Sequence, residues 1–204
     1  MLPSKPIESL RLDGGLFCLD FVNTVYNRKR PNGYDYLDNF KSLIAWYGHT
    51  KLLPQKMLHT LERLGKDYPQ KAVVVLEKSL QLRELLHQLF QTVLHAKMPA
   101  AIIGSQFNSF LSEAYSNLEL SILPDGGKLQ FNTPALEQLY WWPTKSAVEL
   151  LTSDQLKQLK ECPACGWLFI DKSKNQSRKW CSMATCGDVN KVTSNYQRTK
   201  RKKK

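Results

Sequence analysis

Four of the five cysteines lie within 25 residues near the C-terminal end of the chain, and this cluster constrains the fold more than any other feature. Cys162 and Cys165 form one pair, and Cys181 and Cys186 form a second pair after fifteen intervening residues. Pairs at this spacing are typical of a tetrahedral zinc site in which two tight turns supply two thiolates each. The alternatives are two disulfides, which a reducing compartment disfavours, and four unconnected thiols. The sequence therefore predicts one Zn²⁺ ion bound by Cys162, Cys165, Cys181 and Cys186.

A glycine follows each cysteine pair, at Gly166 and Gly187. We expect both to adopt the positive φ that turns backbone N–H groups towards the sulfur atoms. Between the pairs, residues 167–171 and 177–180 flank a polar turn and predict a short β-hairpin. Two knuckles and a hairpin outline a small treble-clef-like or zinc-ribbon-like module. Four cysteine ligands leave no coordination position for water, so the zinc is predicted to be structural. Serine in place of any ligand should unfold this module and leave the rest of the chain folded.

The positive charge of the chain is concentrated in the same region. The formal net charge is +11, and residues 157–204 account for +10 of it, with thirteen basic residues against three acidic ones. This asymmetry predicts a nearly neutral body over residues 1–156 and a cationic zinc module over residues 157–204. A cationic module favours a polyanionic partner, because each phosphate that it neutralises releases a condensed counterion.

The predicted nucleic-acid contacts are therefore basic residues of this module. Some lie in the loop between the cysteine pairs and the others follow the last cysteine, where the chain ends in a run of lysines. A solubilising tail is the alternative for that final run. The candidates are Lys172, Lys174, Arg178, Lys179, Lys191, Arg198, Lys200, Arg201, Lys202, Lys203 and Lys204.

The body is predicted to be mainly α-helical with one small β-hairpin, an α+β domain. Apolar residues recur at helical spacing in several segments, the longest of which runs from about residue 71 to residue 96. A shorter helix is expected over residues 16–25, and Pro143 must kink or divide a later one. Residues 118–133 alternate between apolar and polar around a Pro-Asp-Gly-Gly turn, which is typical of a hairpin.

Several classes of protein are disfavoured by what the sequence contains. No run of about eighteen apolar residues predicts a membrane span, and the first residues do not resemble a secretory signal, so we expect a cytoplasmic protein without membrane contacts. Phosphate-binding, dinucleotide-binding and hydrolase motifs are missing, and the four histidines are scattered. We therefore do not expect an enzyme.

Two polar residues, Asn23 and Arg83, lie on otherwise apolar helical segments of the body. A buried amide or guanidinium must find partners, because leaving it unpaired costs several kcal/mol. One alternative is that these residues hydrogen-bond to each other or to nearby backbone. The other is that they line a pocket for a small-molecule effector, with Trp142 as part of its wall.

The segments LFCLDFVNTV (16–25) and LRELLHQLF (82–90), together with the stretch from residue 142 to residue 187, resemble the bacterial CGNR zinc-finger proteins. These proteins carry an N-terminal ABATE domain and a C-terminal CGNR finger, and are described as candidate stress-induced transcription regulators. The resemblance covers nearly the whole chain. One departure is that the Cys-Gly-Asn-Arg motif appears here as Cys186-Gly187-Asp188-Val189, so the arginine of that motif is replaced.

Together these features favour a DNA-binding transcription regulator. The zinc module and basic tail would hold nucleic acid, while the body senses a small ligand or mediates homodimer formation. The alternative is a zinc-dependent protein-interaction or RNA-associated module that lacks sequence-specific DNA binding.

Overall fold

The computed structural model describes residues 6–30 and 33–188. Within these ranges the chain forms six α-helices and two small antiparallel sheets of two strands each. The helices are α1 (Phe17–Val22), α2 (Phe40–Thr50), α3 (Gln55–Asp67), α4 (Pro69–Leu94), α5 (Ala101–Ser116) and α6 (Gln138–Leu151). The strands are β1 (Glu119–Leu123), β2 (Gly126–Gln130), β3 (Leu159–Glu161) and β4 (Leu168–Ile170). The prediction of a mainly helical protein with a small zinc-binding module at its C-terminal end is confirmed.

Helix α4 is the centre of the body, because it contacts α1, α2, α3, α5 and α6. Its buried residues Leu82, Leu86 and Phe90 recur at a spacing of four and form one apolar face. Pro69 occupies the first turn of α4, where a missing N–H costs nothing, and the helix ends close to the predicted position.

Pro143 lies inside α6, which nevertheless continues as one helix from Gln138 to Leu151. A proline cannot donate a hydrogen bond to the carbonyl four residues earlier, which here belongs to Leu139. The hydroxyl of Tyr47 on α2 donates to that carbonyl at 2.9 Å. Tyr47 thus replaces the missing donor and fixes α2 against α6. Of the two predicted outcomes, a kink or a division of the helix, division does not occur.

Helix α1 is shorter than predicted, because it ends at Val22 rather than near residue 25. The chain then leaves the helix, and Val25 pairs with Asp35 in an isolated antiparallel bridge. The early end frees the side chain of Asn23, which is fully buried, for a contact outside its own helix.

The two hairpins occupy different places in the molecule. Strands β1 and β2 pair from Glu119 opposite Gln130 to Leu123 opposite Gly126, as the alternating pattern predicts. Strand β4 pairs with β3, which precedes the first cysteine pair. The prediction that residues 167–171 pair with residues 177–180 is therefore wrong, since the first knuckle itself is the turn of the hairpin.

One hydrophobic core extends through both parts of the chain. Leu168 and Phe169 on β4 are fully buried, and they belong to the same cluster of buried residues as Phe21 on α1 and Leu86 on α4. Trp167 is 6% exposed and belongs to this cluster as well. The inner face of the zinc module is therefore part of the core of the helical body.

None of the helices that the structure describes combines the length and the apolar character needed to cross a lipid bilayer.

Candidate metal centre

The four predicted ligands come together at one point. The sulfur atoms of Cys162, Cys165, Cys181 and Cys186 all lie within 4.8 Å of one another. The Sγ atom of Cys181 lies 3.6 Å from that of Cys165 and 3.6 Å from that of Cys186. The first three cysteines are buried and Cys186 is half-buried. None of the four is in a disulfide, so the disulfide alternative is not what the structure contains.

The first knuckle is built by the short hairpin that encloses it. The N–H of Cys162 donates to the carbonyl of Trp167 at 2.8 Å, and the N–H of Gly166 donates to the carbonyl of Cys162 at 2.9 Å. Gly166 has the predicted positive φ, +76°. A side chain there would also press on Arg28 and Lys29, whose carbon atoms lie 3.2 and 3.3 Å from the position of a Cβ. A larger residue at position 166 is therefore disfavoured both by the positive φ and by the contacts with Arg28 and Lys29.

The second knuckle differs from this expectation. Gly187 lies in a turn of π-helix over Met183–Gly187 and is not among the glycines with positive φ. Position 187 favours glycine for a steric reason, because a Cβ there would lie 3.0 Å from the sulfur of Met183 and 3.3 Å from the ring of Trp180. The prediction of positive φ is therefore correct for Gly166 and wrong for Gly187.

The chemistry of the donor set fits zinc. Hydrogen bonds from Cys165 and Cys181 lower the pKa of Cys162 well below its usual value, while contact with Cys162 raises the pKa values of both neighbours. Four thiols so close together cannot all ionise unless a cation compensates their charge. A soft dication that prefers four thiolates meets this requirement, and Zn²⁺ is such an ion. The four cysteines form a closed structural zinc site.

The fifth cysteine belongs to the core instead. Cys18 on α1 is fully buried, and burial raises the pKa of its thiol to about 12. It is a protonated, small apolar residue.

Asp171 organises the loop between the knuckles, although the sequence did not single it out. Its Oδ1 accepts hydrogen bonds from the N–H and hydroxyl of Ser173, and its Oδ2 accepts from Lys160 and from the N–H of Arg178. Burial alone would raise the pKa of Asp171, but the hydrogen bonds from Lys160 and Ser173 hold it below its ordinary value. The only feature of the sequence that could have identified Asp171 is its position directly after the apolar segment that forms β4.

Arg178 serves the same loop. Its guanidinium donates to the carbonyls of Trp180 and Cys181, and it stacks over the ring of Phe169 with 4.9 Å between the guanidinium carbon and the ring centroid. The side chain therefore fixes the approach to the second knuckle. Of the predicted nucleic-acid residues in this loop, Lys172, Lys174 and Lys179 are exposed, whereas Arg178 is half-buried by these contacts.

The other predicted nucleic-acid residues, from Lys191 onwards, lie outside the described residues. They are Lys191, Arg198, Lys200, Arg201, Lys202, Lys203 and Lys204.

Asn23 connects the body to the zinc module. Its amide donates to the carbonyl of Leu168 at 2.8 Å and accepts from the N–H of the same residue at 2.9 Å. The side chain of Asn23 thus occupies the place of a neighbouring strand beside β4 and satisfies both backbone groups of Leu168. The alternative in which Asn23 hydrogen-bonds to backbone is the arrangement found.

Three further hydrogen bonds join the two parts of the chain around this contact. The indole N–H of Trp167 donates to the carbonyl of Val25 at 2.7 Å. The N–H of Arg28 donates to the carbonyl of Cys165, and the N–H of Ile170 donates to the carbonyl of Gly14, both at 2.9 Å. Each donor or acceptor in the module lies within three residues of a zinc ligand or on β4 itself. Zinc binding and the packing of the body are therefore linked through the backbone.

Arg83 is held within the body. Its guanidinium makes a bidentate pair with Asp35, at 2.7 and 2.6 Å, and donates to the hydroxyl of Thr24 at 3.1 Å and to Glu84 at 3.0 Å. Thr24 is the residue after Asn23, so Arg83 stabilises the segment that carries the contact to β4. Every nitrogen of the guanidinium has a partner.

Ion pairs complete the junction around Arg28 and Lys29. Arg28 pairs with Glu84 on α4 at 2.7 Å, and Lys29 pairs with Glu161 on β3 at 2.8 Å. His87 lies beside them, and burial, followed by the positive charge of Arg28, lowers its pKa to about 4. His87 is therefore neutral at physiological pH.

Trp142, the third residue predicted to line a pocket, lies away from this junction. Its indole N–H donates to the side chain of Gln138 at 3.3 Å, and its ring packs edge-on against Phe131 with 5.0 Å between centroids. Asn23 and Arg83 lie close together through Thr24, whereas Trp142 supports the base of the β1–β2 hairpin. A ligand pocket formed by Asn23, Arg83 and Trp142 stays a prediction.

Comparison with known families agrees with the resemblance in the sequence. A family model described as "CGNR zinc finger" matches residues 158–199, and the ABATE model, described as "Putative stress-induced transcription regulator", matches residues 15–154. A search of curated proteins found no match. The first model contains all four zinc ligands, and the second contains Asn23 and the helical body that it joins to the finger. The chain therefore belongs to the ABATE family and carries a CGNR zinc finger at its C-terminal end.

Proposed function

We propose that this protein is a DNA-binding transcription regulator of the bacterial cytoplasm. In this proposal the zinc finger and the basic tail hold duplex DNA, and the helical body senses a small ligand or mediates dimerisation. A reducing compartment suits the four free thiols that the zinc site requires.

The distribution of charge on the finger carries the proposal. Glu161 is turned inward, where it pairs with Lys29 and accepts a hydrogen bond from Gln91 on α4 at 3.0 Å. Asp171 is fully buried. These acids are therefore already neutralised by the protein, whereas the exposed lysines of the 171–180 loop face solvent and are available for phosphates.

The loop that carries the exposed lysines is also held in place by hydrogen bonds at both ends. The loop that carries Lys172, Lys174 and Lys179 is held at its start by Asp171 and at its end by Arg178. Preorganised cations lose less conformational freedom on binding than cations that are not held in place. We propose that these three lysines set the position of the finger on DNA, and that the basic residues after Lys191 add affinity.

Binding to labelled duplex DNA at several salt concentrations tests the proposal. Replacement of Lys172, Lys174 and Lys179 by alanine should flatten the slope of log affinity against log salt, by up to about 0.9 for each phosphate that the protein no longer neutralises. The matched control replaces Lys41, Lys56 and Lys66, which are exposed on α2 and α3, and should leave the slope unchanged. Equal slopes for both triple variants would contradict the proposed interface.

Selection from a random duplex pool separates DNA-specific regulation from the alternative function. Enrichment of a defined sequence supports a transcription regulator. A steep salt slope without enrichment would instead favour an RNA-associated or protein-interaction module. Deletion of residues 198–204, which removes six basic residues, should weaken binding to all sequences alike.

The ligand-sensing part of the proposal rests on the contacts that link the body to the finger. An effector that shifted Asn23 would act directly on β4, and one that shifted the Arg83–Asp35 pair would act on the same segment through Thr24. A thermal-shift screen of small metabolites on the intact protein tests this, with Trp142→Ala as a variant that alters the proposed pocket wall. Should no metabolite shift the melting temperature, ligand sensing is to be abandoned.

A further inference from the structure

The β1–β2 hairpin exposes an apolar face. Leu120 lies opposite Leu129 across the hairpin, and Ile122 lies opposite Gly127, so these side chains share one face. Leu120 is 59% exposed, Ile122 is 77% exposed and Leu129 is 46% exposed. A two-stranded hairpin with such a face is marginally stable by itself. Leu120 and Ile122 on β1 are more exposed than Leu129 on β2. This difference indicates that a strand that would cover the apolar face lies beside β1.

Among the described residues, no strand covers the outer edge of β1. A two-residue loop joins Leu123 to Gly126, and the pair that flanks such a loop is hydrogen-bonded. Because hydrogen-bonded and non-hydrogen-bonded pairs alternate, Leu120 and Ile122 direct their N–H and C=O groups away from β2. Within residues 6–30 and 33–188, β2 is the only strand paired with β1.

The two edges of the hairpin are not equivalent. Edges are usually protected by charged residues, especially lysine, by proline or by β-bulges. The β2 edge has such protection, with Lys128 at its centre. Strand β1 carries its charge at its first residue, Glu119, so the stretch from Leu120 to Leu123 is uncharged. Self-pairing through β2 about its central residue would place Lys128 opposite its own copy, whereas self-pairing through β1 about its central residue, Ser121, places no like charges opposite each other.

We infer that β1 pairs antiparallel with β1 of a second copy of this chain, about a two-fold axis at Ser121. In this register Leu120 lies opposite Ile122 of the second copy, and the outward N–H and C=O groups of both residues pair. The result is a four-stranded sheet with a continuous aliphatic stripe on one face. The contact is isologous and closes as a dimer, so it does not propagate into fibres.

This inference defines the dimerisation that the proposed function leaves open, and it does not require DNA. Its tests use the zinc-loaded full-length protein in the absence of nucleic acid. Failure of DNA binding would therefore leave the dimer intact, and a monomeric protein would leave the salt-slope test of the zinc finger valid.

Sedimentation velocity over a dilution series measures the first consequence. The wild type should be dimeric at high concentration, and Ile122→Lys should weaken the dimer by at least about 100-fold because the substitution enters a two-fold interface twice. Val74→Lys is the matched control, since Val74 is an apolar residue on α4 with 50% exposure. A wild type that stays monomeric, or a dimer that tolerates Ile122→Lys, would overturn the inference.

Disulfide formation tests the register. Opposed residues in a non-hydrogen-bonded pair have Cα atoms about 4.5 Å apart, which is within the range of a disulfide. Ser121→Cys should therefore give a covalent dimer under mild oxidation, whereas Lys128→Cys should not. A cross-link at position 128 without one at position 121 would assign the contact to β2. A dimer that forms no cross-link at position 121 would exclude edge pairing through β1. Either result overturns the inference.

Discussion

The two hairpins of this protein show opposite ways of stabilising a pair of short strands. The β3–β4 hairpin has only three residues in each strand, yet β4 is fully enclosed. The β1–β2 hairpin has five residues in each strand, and most of them are exposed. Strand length therefore does not determine which hairpin is held firmly.

What differs is the surroundings of each hairpin. Asn23 occupies the position of a third strand beside β4, the carbonyl of Gly14 accepts from Ile170, and the zinc ligands fix the turn. The β1–β2 hairpin is anchored at its base, where Phe131 packs against Trp141 and Trp142. The buried hairpin is therefore stabilised by residues outside it, whereas the exposed hairpin is supported, within the described residues, at its base.

Loss of a zinc ligand should have the largest effect on the difference in stability between the two hairpins. Cys181→Ser is expected to abolish zinc binding and unfold β3–β4, because the binding free energy of a structural zinc is on the order of 10 kcal/mol. The β1–β2 hairpin should be unaffected. Elemental analysis and thermal unfolding measure the two effects.

Cys18→Ala is the control for that experiment. Its thiol is buried on α1 and should be replaceable with one zinc ion per chain retained. Retention of full zinc content by Cys181→Ser, or its loss in Cys18→Ala, would contradict the assignment of ligands.

The same substitution made in both hairpins compares them directly. Leu168→Ala on β4 should destabilise the protein by about 2–5 kcal/mol, because it leaves a cavity in a fully buried site. Leu129→Ala on β2 should cost about 0.5 kcal/mol or less in the monomer, because that side chain is exposed. Denaturant unfolding at low protein concentration gives both values. Similar costs would show that the hairpins are not supported differently.

The contact made by Asn23 should have the next largest effect. Asn23→Ala leaves both backbone groups of Leu168 without partners and should cost about 2–4 kcal/mol, since each buried unsatisfied group costs about 1–3 kcal/mol. Asn23→Asp preserves the shape and the acceptor but loses the donor, so it separates the two hydrogen bonds. Denaturant unfolding and a competition assay for zinc measure the outcome. An alanine variant with unchanged stability and zinc affinity would show that the contact is incidental.

The last expected effect concerns pH. The side chain of Asp20 accepts from the N–H of Gly14 at 2.8 Å, and Gly14 in turn accepts from Ile170 on β4. Burial raises the pKa of Asp20 from 3.8 to about 7. The folded state therefore binds this proton more tightly than the unfolded state, so the stabilisation is complete below about pH 4 and is lost as pH rises through about 7.

Comparing the wild type with Asp20→Asn separates the pH dependence of stability caused by Asp20 from the acid sensitivity of the zinc site. The variant should gain stability relative to the wild type as pH rises from mildly acidic to mildly alkaline values. Unfolding curves at several pH values measure the difference. A constant difference across the range would show that Asp20 does not titrate with folding.

The local features of the fold were predictable because they depend on short-range patterns. Cysteine spacing identified the zinc ligands, and alternation around a Pro-Asp-Gly-Gly turn identified the β1–β2 hairpin. Helix periodicity located α4, the longest helix. In each case the residues that determine the structure lie within a few turns of one another.

The contacts that join the body to the finger were not predictable in this way. Asn23 and Leu168 are 145 residues apart, and an asparagine after an apolar helix does not reveal that its partner is a strand backbone. The pairing of β4 with β3 was missed because the polar segment after β4 resembles a hairpin turn as much as the knuckle does. Tertiary packing around the zinc site determines which segment pairs with β4 and which backbone Asn23 contacts.

The contacts of Asn23, Val25 and Arg28 with the finger predict that it folds as one unit with α1 and residues 23–28, although the sequence alone predicts that serine substitution unfolds only the finger. Amide hydrogen exchange with and without a zinc chelator tests it most directly. Chelation should raise exchange in β3–β4 and also in α1 and residues 23–28, while α5 and the β1–β2 hairpin keep their rates. Faster exchange confined to residues 159–187, with α1 unchanged, would contradict the claim and show that the body folds independently of the metal.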